Sequence, residues 1–237
     1  MMHIVDQPLC PRGKGRLLQM LRKGREMTKQ LSVIVLFVVA LVAFACADPA
    51  SDKPKATVAE AQPQSSTQKP AETLAISPEN SKIEFVASKV TRSHQGSFKQ
   101  FTGKIELVPN NIPESRVSID IDTASVETDD PQLTGHLKTP DFFDVAKNPK
   151  ATFESTKIEP GNSGSNHTIT GNFDLHGVKK SITFPANIQV TADSAAVDAE
   201  FAINRKDFGI VYAGKADDLI RDAVVIKLNL RVPRKKQ

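Results

Sequence analysis

Apolar residues recur at every second position through most of this chain. Val224, Ile226, Leu228, Leu230 and Val232 alternate with Lys227, Asn229 and Arg231. Ile83, Phe85 and Ala87 face away from Lys82, Glu84 and Ser88, and Val117, Ile119 and Ile121 from Arg116, Ser118, Asp120 and Asp122. Ile169, Gly171, Phe173 and Leu175 repeat the pattern, as do Val197, Ala199, Phe201 and Ile203. A period of two with one apolar face describes an antiparallel sheet that is wet on one side. Pro109-Asn110-Asn111, residues 161–164 and Gly177 supply the turn chemistry between such segments. Eight or so strands in roughly 160 residues are arranged as a barrel or a sandwich, and periodicity does not choose between them.

The first 73 residues have a different character. Leu31 to Ala45 is a fifteen-residue apolar run, short of the roughly 20 needed to span a bilayer and of the length of a signal h-region. Met27-Thr28-Lys29-Gln30 is a compact n-region for it, so translation is expected to start at Met27, with residues 1–45 as leader. Ala43 and Ala45 precede Cys46 in an A-x-A pattern that gives one cut site two readings: simple secretion, or a lipoprotein acylated at Cys46. A lipobox usually carries Leu where Ala43 stands. Cysteine directly after an h-region and directly before a tether favours the lipoprotein. Residues 46–73, with Pro49, Pro54, Pro63 and Pro70 and no aromatic, are expected to form a disordered, lipidated tether.

Charge narrows the partners. Of 31 basic residues seven lie before residue 46, and of 27 acidic residues two do, leaving 24 against 25. A near-neutral mature chain lacks the basic patch that nucleic acid requires. Arg231, Arg234, Lys235 and Lys236 are expected to be a solvated tail. Once Cys10 is removed with the leader, Cys46 is the only thiol, so no internal disulfide forms.

No nucleophile elbow, zinc-protease helix motif, C-x-x-C, P-loop or dinucleotide fingerprint occurs. The histidines after Cys46 (His94, His136, His167 and His176) are not spaced for local metal ligation. His136 is expected to close a helix, and His94 and His176 to hydrogen-bond in turns. Asp120 and Asp122 project from one face opposite Ile119 and Ile121, which reads as a solvated outer surface. Asp129-Asp130 and Asp217-Asp218 read as cap and turn acids. The chain is therefore expected to be no enzyme, with no metal and no cofactor.

The longest continuous signal is His136-Leu-Lys-Thr-Pro-Asp-Phe-Phe-Asp-Val-Ala-Lys-Asn-Pro-Lys-Ala-Thr-Phe-Glu-Ser155. Asp130 as N-cap and Pro131 at the first helical position open a short helix over Asp130–Lys138 that Pro140 ends. Phe142 and Phe143 form an aromatic turn, and Asn148-Pro149 breaks the chain before the next strand. This run resembles the centre of the YceI-like family of secreted bacterial domains. The hairpin around His176-Gly177 within Thr170–Pro185, the Arg205-Lys206-Asp207-Phe208-Gly209 turn, and His94–Phe98 with Phe101–Gly103 are similar to further blocks of that family. The resemblance spans roughly Leu74 to Val232.

The resemblance implies an eight-stranded antiparallel, lipocalin-like barrel at residues 74–237 with a short helix beside it. It also implies binding of a polyisoprenoid lipid. One departure from true lipocalins is the lack of a Gly-x-Trp motif, since the chain has no tryptophan. Ten of its twelve phenylalanines fall in the domain, and Phe brings no polar handle into an interior. Phe142, Phe143, Phe153, Phe173, Phe201 and Phe208 are expected to line a lipid cavity. The expected function is carriage of a polyisoprenoid or similar long-chain lipid in the bacterial periplasm, on a membrane reached through Cys46. The alternative is a membrane-tethered structural or interaction barrel filled by its own side chains.

Overall fold

The structure is a computed structural model that describes residues 48–63, 71–162 and 164–234. The expected leader, Met27, Cys46, Lys235 and Lys236 lie outside the described residues. The strands are β1 (Thr57–Glu60), β2 (Glu72–Ile76), β3 (Ser81–Ser88), β4 (Ser93–Phe98), β5 (Phe101–Leu107), β6 (Arg116–Asp122), β7 (Val126–Thr128), β8 (Lys150–Pro160), β9 (His167–Leu175), β10 (Val178–Val190), β11 (Ser194–Asn204), β12 (Gly214–Lys215), β13 (Asp218–Leu219) and β14 (Ala223–Pro233). Among the described residues one α-helix, α1 (Pro131–Leu137), interrupts them. The fold is all-β, with antiparallel ladders throughout and one isolated parallel bridge between Lys55 and Ala202. Twelve strands share one curled sheet, and β12 and β13 form a small hairpin of their own.

The curl can be followed through the pairing. β2 and β3 are separated by the turn Ser77–Asn80, and they run against β5 and β4 respectively. β6 and β7 continue on the other side of β5 and β4. From β6 the ladder proceeds through β8, β9, β10, β11 and β14, and β14 then pairs with β3. Ser125 Oγ ties down the bend between β4 and β5, accepting from Gln100 N–H (3.0 Å) and donating to Asp122 O (2.6 Å). Inside the curl lies the apolar core, with Phe184, Phe208, Leu107, Ile76 and Leu230 among its most buried side chains.

Local signals account for the helix. Asp130 Oδ1 accepts from the N–H groups of Gln132 (2.9 Å) and Leu133 (3.2 Å), two of the donors a helix start leaves unpaired. These bonds hold its carboxyl below the usual carboxylate range, Leu133 contributing most. Pro131 occupies the first turn, where a missing N–H is harmless.

The expected disordered tether departs from this structure over residues 48–63. β1 pairs antiparallel with β10, from Thr57 opposite Thr183 to Glu60 opposite Lys180. Ala56 N–H donates to Ala202 O (2.8 Å), and Ala202 N–H donates to Pro54 O (2.9 Å). Upstream, Ala50 is buried against Ala202 and Val225, and Asp48 pairs with Arg221 at 3.3 Å. The segment has too few apolar side chains to fold by itself. It is ordered instead by backbone hydrogen bonds that two neighbouring strand edges offer.

Those edges exist because β10 and β11 pair only between Asn187–Val190 and Asp198–Ala195. Pairing stops two residues from Pro185, which has no N–H to give a ladder. The segment from Pro54 to Glu60 lies in the resulting split, bonded to β11 at Ala202 and to β10 along β1.

The expected solvated tail is corrected at its two described arginines. Arg231 makes a two-pronged contact with Asp198 (2.7 and 2.8 Å). Arg234 pairs with Glu72 at 2.8 Å, both side chains about one-fifth exposed. These partners are far apart in sequence and meet only because β14 closes against its neighbours.

Candidate functional site: an apolar cavity inside the curled sheet

The interior contains a cavity of about 60 Å³ lined by side chains of β3, β6, β8, β9, β10, β11 and β14. Every lining residue is Phe, Ile or Leu. Three of the six expected cavity residues are among them: Phe153, Phe173 and Phe201. Each sits on a strand position whose neighbours point out, such as Thr152 and Glu154 around Phe153, so alternation alone orients them.

The other three are elsewhere. Phe208 is fully buried and meets Phe173 edge-on at 5.3 Å, one layer behind the lining. Phe142 packs with His136 and Tyr212, at ring distances of 4.9 and 5.5 Å. Phe143 packs on Phe98 at 5.7 Å. Both follow α1 in a turn, where no strand period directs a side chain inward.

Phe184 completes the aromatic lining and was not among the expected residues. Its ring stacks on Phe201 at 4.1 Å with an interplanar angle of 12°, and Phe153 meets it at 5.7 Å. Its signal was present, since Ile182 and Phe184 alternate with Ser181 and Thr183. Aliphatic residues supply the rest, including Ile119, Ile121, Ile226 and Leu228. Gly171 also shapes the site. A Cβ there would clash with the Phe153 ring and come within 2.6 Å of Glu154 O, so the ring fills the space that a side chain at this position would need.

Polar chemistry is arranged away from this interior. His94 is buried on β4, not in a turn as expected. Arg92 donates to its Nε2 through Nε (3.1 Å), which places the ring proton on Nδ1, donated to Asp129 Oδ1 at 2.8 Å. That hydrogen bond is the main cause holding the Asp129 carboxyl below its ordinary value. His136 Nε2 and Asp141 lie 2.8 Å apart next to the helix. His176 holds a left-handed conformation (φ 55°) at the β9–β10 turn, its Nδ1 3.3 Å from Phe208 O. Burial pushes the His167 imidazole down. Among the described residues no three His, Cys, Asp or Glu side chains gather as metal ligands.

Arg205 is the most enclosed charge, 4 % exposed, and burial pushes its guanidinium down. It donates to Ile210 O (2.6 Å), Arg221 O (3.1 Å) and Asp222 (3.3 Å), tying together the connection between β11 and β14. Two larger grooves, of about 280 and 400 Å³, are open to solvent and lined partly by charged side chains.

The family model of the YceI-like domain matches residues 74–232. Protein YceI of Salmonella arizonae is 36% identical over 121 residues, covering 48% of this chain and 62% of that protein. The chain thus spans less than two-thirds of that relative's length. Among solved structures, Burkholderia cenocepacia BcnA aligns with a TM-score of 0.58 at 24% identity, over 66% of this chain and 98% of that one. A polyisoprenoid binding domain from Saccharophagus degradans, implicated in plant cell wall breakdown, aligns with a TM-score of 0.55 at 20% identity, over 70% and 99%. At those identities the two structures speak to the fold alone. The family match, which runs across the curled sheet and α1, shows that this chain belongs to the YceI-like family.

Proposed function

We propose that this domain binds the hydrocarbon of a polyisoprenoid or similar long-chain lipid, acting as a carrier and not as an enzyme. The observation that carries the reading is the lining of the interior, which presents only Phe, Ile and Leu side chains. A hydrocarbon asks nothing else of a site. Family membership and the Saccharophagus degradans neighbour, itself named as polyisoprenoid binding, support the same reading.

The architecture proposed for it is an eight-stranded lipocalin-like barrel. β2 with β3, β4 with β5, and β6 with β7 are read as three kinked strands, followed by β8, β9, β10, β11 and β14. An eight-stranded barrel holds one small ligand. The cellular setting proposed is the bacterial periplasm, with the chain anchored to a membrane through acylated Cys46.

The volume of the cavity bears on how a lipid is held. Ligand pockets commonly enclose about 300–1,000 Å³, against about 60 Å³ here. A lipid therefore has to displace side chains, and the Phe184–Phe201 stack is the first obstacle. The same small volume favours a second reading, a barrel filled by its own side chains that acts through its surface.

Mass spectrometry of lipid extracted from gently purified protein separates the two. A carrier retains isoprenoid or another long-chain lipid, or takes one up when offered. A filled barrel does neither, and that result overturns the lipid-binding proposal.

A further inference from the structure

We infer that β1 plugs a lateral portal in the sheet, and that a long hydrocarbon reaches the interior between β10 and β11 when β1 lifts. The inference rests on the lipid-binding reading and specifies where that site opens.

The split lies directly over the cavity. β10 and β11 exchange no ladder bonds beyond Asn187 and Asp198. Past that point β10 contributes Ile182 and Phe184 to the cavity, and β11 contributes Phe201 and Ile203. No other seam beside the cavity is so short. The register of β11 with β14 runs from Ser194 to Asn204, and that of β10 with β9 from Val178 to Ala186. The split cannot simply zip shut, since Pro185 offers no N–H to the missing ladder.

What covers the split is thin. From Pro54 to Gln62 only Ala56 and Val58 are half-buried against the core, and the remaining side chains are exposed. No large apolar group seals the slot, so lifting the segment costs little apolar burial. Its attachments are backbone bonds, an exposed Glu60–Lys180 ion pair (2.6 Å), and a clasp from Asn172. The Asn172 amide, buried on β9, accepts from Gln62 N–H (2.8 Å) and donates to Gln62 O (2.7 Å). Upstream the segment is fixed by buried Ala50 and the Asp48–Arg221 pair. The segment over the split is thus held by backbone bonds, one exposed ion pair and one amide clasp, with no large side chain to anchor it.

A lateral route leaves the volume a lipid needs unchanged, but it opens that volume along the length of the chain. A chain too long for about 60 Å³ need not be threaded through the end of the sheet. It slides in sideways as β1 gives way and the facing Phe184 and Phe201 rings part.

A disulfide staple tests this. Thr57 and Thr183 are opposite each other on β1 and β10, and such pairs lie about 4.5–5.5 Å apart at Cα, within disulfide range. The full chain would carry Thr57→Cys and Thr183→Cys, with Cys10 and Cys46 replaced by Ser. A control staple, Thr152→Cys with Asp174→Cys, links β8 to β9 at another opposed pair. The probe is dansyl-labelled geranylgeraniol, whose fluorescence rises on leaving water.

The expected result is that oxidation of the β1 staple slows uptake by about tenfold or more, as closing a gate does, and that reduction restores it. The control staple should leave the rate unchanged. If oxidised and reduced forms fill equally fast, or both staples slow uptake alike, the portal is overturned while lipid binding stands. If no form, wild type included, takes up the probe, the lipid-binding reading fails and the portal goes with it. Should the stapled chain not fold, Asn172→Ala carries the test. Faster uptake than wild type supports the portal, and an unchanged rate overturns it.

Discussion

The Phe184 and Phe201 rings stack 4.1 Å apart across the line where β10 and β11 stop pairing. Two aromatic side chains thereby bridge, through the interior, a seam that the backbone leaves open. Phe201 is 2 % exposed, so truncation removes both its buried surface and its contact with Phe184. Phe201→Ala is expected to cost about 3–5 kcal/mol, seen as a lower urea midpoint with an unchanged slope. The cavity should grow at the same time. A loss below about 1 kcal/mol would mean that the neighbours collapse into the gap and that the interior is more plastic than the stack suggests.

Gly171 should be nearly intolerant of a side chain. A methyl there meets the Phe153 ring and the Glu154 carbonyl together, and only the ring is able to move. Gly171→Ala is expected to destabilise by about 1–3 kcal/mol, the usual range for overpacking, and to push Phe153 further into the cavity. Denaturant unfolding measures the first effect, and reduced probe loading the second. An unchanged midpoint would show that the ring shifts freely.

Acid stability should carry a contribution from Asp129. The hydrogen bond from His94, with lesser help from Gln95 N–H and nearby Arg92, holds its carboxyl below the ordinary value. A group depressed in the folded state stabilises above its unfolded pKa, and that stabilisation disappears as pH falls through the folded pKa. Asp129→Asn should therefore be less stable than wild type at neutral pH, and the gap should close on acidification below the ordinary carboxylate range. Thermal melts across pH 2 to 7, as a range of about five units, measure it. A gap that stays constant would assign the loss to packing instead of charge.

Much of the fold is legible in the sequence because a strand's side-chain period is written directly in it. Phe153, Phe173 and Phe201 were found through that period, and Asp130-Pro131 announces α1 by chemistry confined to four residues. Aromatic character alone points Phe142 and Phe143 to the cavity, and the turn after α1 carries no period to say where they face. β1 was hidden for another reason. Thr57–Glu60 has no apolar face, and its order comes from backbone groups that β10 and β11 leave unpaired. Pro185 was the clue, since a proline inside a long strand marks an edge. The Arg234–Glu72 pair could not have been read at all, because only the closing of β14 toward β2 brings the two together.

Anchoring at Cys46, which lies outside the described residues, is open to a direct test. Each buried CH₂ contributes about 0.8 kcal/mol, and one acyl chain alone holds a protein only marginally. A diacylglyceryl cysteine supplies the second chain. Cys46→Ser should move the protein from the membrane fraction to the soluble envelope fraction and abolish metabolic labelling with palmitate. Unchanged fractionation would overturn the anchor and leave the domain's own properties untouched.

Leu228 gives the mildest probe of the interior as a ligand site. It lines the cavity from β14, opposite Ala199 and Ile83 on the neighbouring strands. Leu228→Phe keeps the surface apolar and adds bulk where only about 60 Å³ is open. The expected cost is about 1–3 kcal/mol, small enough for a folded chain to remain. Native mass spectrometry should then find less bound isoprenoid, or shorter chains, than in wild type. A variant that is equally folded and equally loaded would locate the lipid outside this cavity, because a hydrocarbon threaded past Leu228 has no way to ignore a larger ring in its path.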